Sequence, residues 1–135
     1  MNEKLNTEIQ KLTEIISKDV NDYTQKFNRM FALSQQRDVT SLEYKKLEMQ
    51  ITEAILNAKV TDNDGKEKPR YSNQQQRDIA ISKGMDTNNL TKEIKDKQKE
   101  LDYEINDLKK DLDILKFKQR GIRMMVDLIS NKEVF

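Results

Sequence analysis

The residues best suited to hold a ligand are Lys68, Arg70, Tyr71, Asn73 and Arg77, within the run Lys66-Glu67-Lys68-Pro69-Arg70-Tyr71-Ser72-Asn73-Gln74-Gln75-Gln76-Arg77. This run joins cations, an aromatic ring and amides at the expected start of a short helix. Free backbone N–H groups and the helix dipole there favour an anion. Lys68, Arg70 and Arg77 would contact phosphate, with Tyr71 stacked on a base or packed against a protein partner. The plainer reading, preferred from the residues alone, has Tyr71 pinning the loop and the cations merely solvated.

A second basic group, Lys116, Lys118, Arg120 and Arg123, stands beside Phe117, Gly121 and the Met124-Met125 pair. On an amphipathic helix such a strip could face nucleic acid. Pairing with Asp19 and Asp22 of an earlier helix is preferred, because the mid-helix charges Asp19 and Lys26 otherwise have no obvious partners. Gly121 weakens a helix by roughly 1 kcal/mol relative to Ala, so a close helix crossing is expected there.

Other constellations dissolve on inspection. Asp62-Asn63-Asp64-Gly65 places oxygen ligands on alternate residues before a Gly, as a calcium loop does, but no Glu stands at the final ligand position and a turn is expected. The carboxylates Glu93, Asp96, Glu100, Glu104, Asp107, Asp111 and Asp113 alternate with Lys at helical spacing, which marks a solvated face. The sequence has no His and no Cys. Imidazole bases, thiol nucleophiles and zinc ribbons are thereby excluded. No catalytic residue, metal or cofactor is expected, and the chain is read as a non-enzyme.

The elements that must position these residues are helices. Ile94, Leu101, Leu108, Leu115, Ile122 and Ile129 lie one heptad apart, with Gln98, Ile105, Leu112, Gln119 and Val126 between them. The steps alternate between four and three without a slip, the seam of a long coiled-coil helix that must bury itself against another. An N-terminal register runs through Ile9, Ile16, Tyr23, Met30, Arg37, Tyr44, Ile51 and Ala58, with companions Leu5, Leu12, Asp19, Lys26, Leu33, Thr40, Leu47 and Ala54. Its middle is polar, and the apolar stripe is expected to drift there to Val20 and Phe27. A helix start at Thr40, with Glu43 completing a capping box, is the alternative to one continuous helix, which is preferred.

Val60 to Thr87 holds the dense turn chemistry: the Asp62–Gly65 turn, Pro69, and a capping box of Ser72 with Gln75 opening a short helix that ends near Gly84. Sheets are not indicated. The expected fold is therefore all-α, a single elongated domain. It is a long antiparallel helical hairpin, with helices over about 3–59 and 88–131 and a loop containing a short helix over about 60–87. Ile16, Val20, Phe27 and Phe31 on one helix and Ile114, Phe117, Met124 and Leu128 on the other exceed what two helices can bury. They are expected to join hairpins into a dimer or higher helical bundle at the end holding the termini.

Charged residues make up 36% and hydrophobic ones 35%, too polar a balance for a thick-cored globule, and the net charge of +1 offers no overall field for nucleic acid. No secretory or membrane-spanning run is present, and a cytoplasmic location is expected.

The pattern K-P-x-Y/F-S-N-x-x-x-R at Lys68–Arg77, the helical stretch before it, and the long second helix ending in an aromatic, Arg and aliphatic cluster together resemble a known group. They are similar to small coiled-coil proteins encoded by phages and prophages of Gram-positive bacteria, often near genes for DNA recombination and replication. The resemblance covers most of the chain and implies a genomic setting, with no catalytic residues. The leading expectation is an accessory or modulator acting through protein–protein contacts, linked to DNA metabolism or to control of a host enzyme. Two alternatives stand beside it. One is direct nucleic-acid binding by the basic loop. The other is a prefoldin-like holdase, lowered because no β-hairpin pattern marks an assembly platform.

Overall fold

The structure, a computed structural model, describes the backbone of residues 2–134 and the side chains of residues 2–131. Helix α1 covers Asn2–Asn57, strands β1 and β2 cover Lys59–Thr61 and Glu67–Pro69, α2 covers Gln74–Thr87 and α3 covers Asn89–Val134. The protein is helical apart from this connection, and its two long helices pack together. It divides into two compact units, one of Met1–Ser34 with Tyr103–Phe135, the other of Gln35–Asp102.

In the first unit, α1 and α3 pack with contacts that run in opposite directions. Asp19 meets Lys118, Lys26 meets Asp111 and Arg29 meets Glu104, at 3.2, 3.4 and 3.5 Å. Leu33, Ile105, Leu112, Leu115 and Ile122 are buried between them, and Leu108, Gln119, Val126 and Ile129 are half-buried. These are the heptad positions of the sequence, and their α3 neighbours are exposed save Asp111.

The expected drift of the α1 stripe does not occur. Val20 and Phe27 are 45% and 46% exposed, while the polar positions Asp19 and Lys26 keep their places in the seam. The register holds because these charges find partners across the helix pair. The Asp19 carboxylate takes Lys118, and Lys26 sits between Asp22 at 3.5 Å and Asp111 at 3.4 Å. Burial disfavours the Lys26 ammonium, yet the carboxylates of Asp111 and Asp22 outweigh that and hold its pKa above the ordinary lysine value.

In the second unit α1 runs without interruption through residues 34–41, so the Thr40–Glu43 capping box is not made. Thr40 is instead buried and donates its hydroxyl back to the Arg37 carbonyl at 2.6 Å, a bond available inside a continuous helix. Arg37 in turn donates Nε to Asp102 at 2.9 Å and Nη1 to Ser41 at 3.0 Å. Leu47, Met85 and Leu101 supply the buried apolar contacts of this unit.

The sequence reading expected no sheet, yet β1 and β2 form an antiparallel hairpin in which Lys59 faces Pro69, Val60 faces Lys68 and Thr61 faces Glu67. Its turn is built by Asp62. The side-chain oxygen of Asp62 accepts from the Asp64 and Lys66 amides at 3.0 and 2.9 Å, and Gly65 takes φ 79°, a left-handed conformation suited to glycine. That carboxylate is committed to the backbone, which is why these residues make a turn.

Helix α2 begins one residue later than expected. Asn73 caps it by accepting from the Gln76 amide at 2.8 Å, and Gln76 returns an oxygen to the Ser72 amide and hydroxyl at 3.0 and 3.1 Å. The helix also passes Gly84 and ends at Thr87. Gly84 serves packing: a Cβ there would lie 3.0 Å from Ile51 Cγ2 of α1, so the two helices approach closely at that point. Asn88 both ends α2 and caps α3, accepting from the Leu90 amide at 2.8 Å.

Candidate functional site

Two surfaces gather the chemistry-bearing side chains, one in each unit. In the second unit the β-hairpin returns the chain through Arg70, whose amide donates to the Ala58 carbonyl at 2.9 Å, and this anchors the residue before α2 starts. The Arg70 guanidinium then lies over the Tyr71 ring, 5.6 Å from its centre. With Gln76, Ile79, Ala80 and Lys83 of α2, these two residues line an open concavity of about 430 Å³. It has an apolar floor, an aromatic wall and two cations at its margin. Ile79 is 61% exposed, a large aliphatic side chain left mostly open to solvent.

The five residues named from the sequence separate here. Arg70 and Tyr71 line the concavity. Asn73 is spent on the α2 cap, and Lys68 lies on β2 with its ammonium 3.9 Å from Asp62. Arg77 is half-buried and its Nε is shielded from solvent without a hydrogen-bond partner among the described residues. Gln76, Ile79, Ala80 and Lys83 were not singled out, although their spacing places them on one helix face. The signal was present as the i, i+3, i+4, i+7 spacing of these four residues, which defines one helix face whichever residue caps the helix.

In the first unit the basic group of α3 does not act as one strip. Lys116 lies over the Tyr23 ring at 5.9 Å and Lys118 pairs with Asp19, whereas Arg120 and Arg123 are exposed and make no ion pair among the described residues. Tyr23 stacks on Phe27, with ring centres 6.3 Å apart. Of the expected oligomer contacts, Ile16 is half-buried. Val20, Phe27, Phe31, Ile114, Phe117, Met124 and Leu128 are all exposed within the chain. Gly121 marks no crossing inside this chain, since a Cβ there would meet nothing within 4 Å.

No known family, characterised protein or solved structure matches this chain. Among the described residues no cluster of His, Cys, Asp or Glu is arranged to hold a metal ion, and no helix is long and apolar enough to cross a membrane. What the second-unit concavity can do chemically is accept a partly apolar, partly anionic group: a side chain over Ile79 and Ala80, with a carboxylate or phosphate reaching Arg70 or Lys83.

Proposed function

We propose that this chain is a non-enzymatic interaction protein, an antiparallel coiled-coil hairpin that associates with itself through the first unit and recognises a protein partner through the second. The observation that carries this reading is the concavity of Arg70, Tyr71, Gln76, Ile79, Ala80 and Lys83, which combines an uncovered aliphatic floor with a stacked Arg–Tyr pair. Tyr and Arg anchors beside an apolar floor are the composition of protein-binding hot spots. Lys26 and Arg37, half-buried in the helix pair, are engaged in helix-to-helix ion pairs with Asp111 and Asp102, which suits structure better than acid–base chemistry. In the setting that the loop motif implies, the partner is a cytoplasmic protein of DNA metabolism or a host enzyme, and the chain is a phage-type accessory or modulator.

A holdase activity is the second reading. The exposed apolar side chains of the first unit favour it, and the β1–β2 hairpin removes one ground for setting it aside. The deciding experiment is recovery of partners from host cytoplasm, with and without nuclease, by wild type and by an Arg70→Ala/Tyr71→Ala/Lys83→Ala variant of unchanged helicity. A discrete, nuclease-resistant protein lost in the variant is expected. A mixed population of unfolded chains bound equally by both proteins would transfer the case to the holdase. Nuclease-sensitive recovery would transfer it to nucleic acid.

A further inference from the structure

The exposed apolar residues of α3 are ordered. Ile114, Phe117, Gly121, Met124 and Leu128 step by three and four residues, the spacing of a coiled-coil seam, on the side of the helix that faces away from α1. The four side chains are 65%, 80%, 66% and 61% exposed, so a complete second seam stands without a partner in the chain. Gly121 lies in its middle. A glycine weakens a helix interior, and nothing within 4 Å of its missing Cβ requires it to be small. Its smallness has a use only if something from outside the chain packs there.

We infer that the outer seam of α3 is covered by the same seam of a second copy, packed antiparallel about a two-fold axis that crosses α3 between residues 122 and 123. This deepens the self-association proposed above and rests on it. In that register Leu128 lies over Phe117 of the second copy and Met124 fills the space left by Gly121. Two-fold symmetry repeats both contacts, so the surface is complementary to itself. Methionine is the residue best able to mould itself to a glycine gap. Ile114 and Asn131 close the two ends of the seam.

Charge selects this register over its neighbour. Arg120 and Asp127 flank the seam, and neither makes an ion pair within the chain among the described residues. About the axis between 122 and 123, Arg120 of each copy stands opposite Asp127 of the other. With the axis moved to residue 119, Phe117 would again meet Gly121. Arg120 would then face its own copy and Asp113 would face Asp127, like charges on like. On the other flank Lys118 passes over Met125, its charge already held by Asp19. Covering four large side chains and their margins on each copy removes on the order of 1,000 Å² in total, the area at which a specific interface begins.

The test uses the full chain and its lack of native cysteine. Sedimentation over a concentration series should show a dimer that Phe117→Glu abolishes without loss of helicity, since Phe117 is 80% exposed within the chain. Arg120→Asp should weaken the dimer at least about tenfold, and Arg120→Asp with Asp127→Arg should restore it. Under oxidation, Ile114→Cys and Asn131→Cys proteins should form a disulfide when mixed and none when separate. A chain that stays single at every concentration would overturn this inference and the self-association with it. A dimer indifferent to Phe117→Glu, or an Ile114→Cys protein that links to itself, would overturn the inference alone and leave association through other side chains standing.

Discussion

Asp19 shows how a single polar residue can hold a register that its hydrophobicity argues against. It is buried at a seam position that a coiled coil would normally give to an aliphatic residue, and its charge is met by Lys118 from the other helix. An ion pair of this kind adds little net stability, because removing the carboxylate from water offsets much of the attraction. Its value lies in specificity: sliding α1 along α3 would leave Asp19 buried without a cation, and Lys26 would lose Asp111 in the same movement. Asp19→Leu is therefore expected to stabilise the folded chain by about 1–2 kcal/mol. Lys118→Ala should destabilise it by about 1 kcal/mol, less than for a fully buried pair because Lys118 is half exposed and partly screened. Thermal unfolding followed by circular dichroism checks both. A destabilised Asp19→Leu protein would show that the polar seam contributes stability as well as register.

At the scale of elements, glycine separates packing inside the chain from packing outside it. Gly84 of α2 sits where a Cβ would press on Ile51 of α1 at 3.0 Å, and Gly121 of α3 sits in open space. Gly84→Leu is expected to cost about 1–3 kcal/mol through overpacking. Gly121→Ala, measured where the chain is single, should gain up to about 1 kcal/mol from helix propensity. Equal effects at the two positions, read from urea unfolding, would contradict this assignment. The buried face of α3 was legible in the sequence, because each of Ile94 through Ile129 at heptad spacing carries a branched aliphatic chain. The stripe in the middle of α1 was misread as drifting to Val20 and Phe27: pairing of Asp19 with the basic group of α3 was expected, but Lys26 and Arg37 look like a loss of the stripe until their partners Asp111 and Asp102 are known, and those lie far away in sequence. The β-hairpin escaped notice for a different reason. Each strand is three residues long and wholly exposed, so there is no alternation to read, and its stability comes from the Asp62 turn. Arg70 and Tyr71 were legible as a pair of unusual chemistry. Their partners on α2 share one helix face by spacing, but that the chain at Arg70 and Tyr71 lies beside that face is a tertiary contact the spacing does not show.

For the molecule as a whole, near-balanced charge argues for contacts made locally. The chain carries 25 cationic and 24 acidic residues, so neither an anionic partner nor nucleic acid is drawn by a long-range field. Recognition must come from surfaces where apolar area and a few oriented charges coincide. Two such surfaces are the concavity around Ile79, proposed for a protein partner, and the outer seam of α3, assigned to a second copy. The account predicts that they act separately, so that a chain made single by Phe117→Glu still contacts its partner through Arg70 and Tyr71, with any loss confined to avidity. The most direct measurement is photo-crosslinking in host cytoplasm from a photoreactive amino acid placed at Ile79, compared with one at exposed Glu8. The account predicts a discrete protein adduct from Ile79 that is absent from the Glu8 control and lost on adding Arg70→Ala/Tyr71→Ala. Adducts that are nucleic acid, or that form equally from both positions, would contradict it.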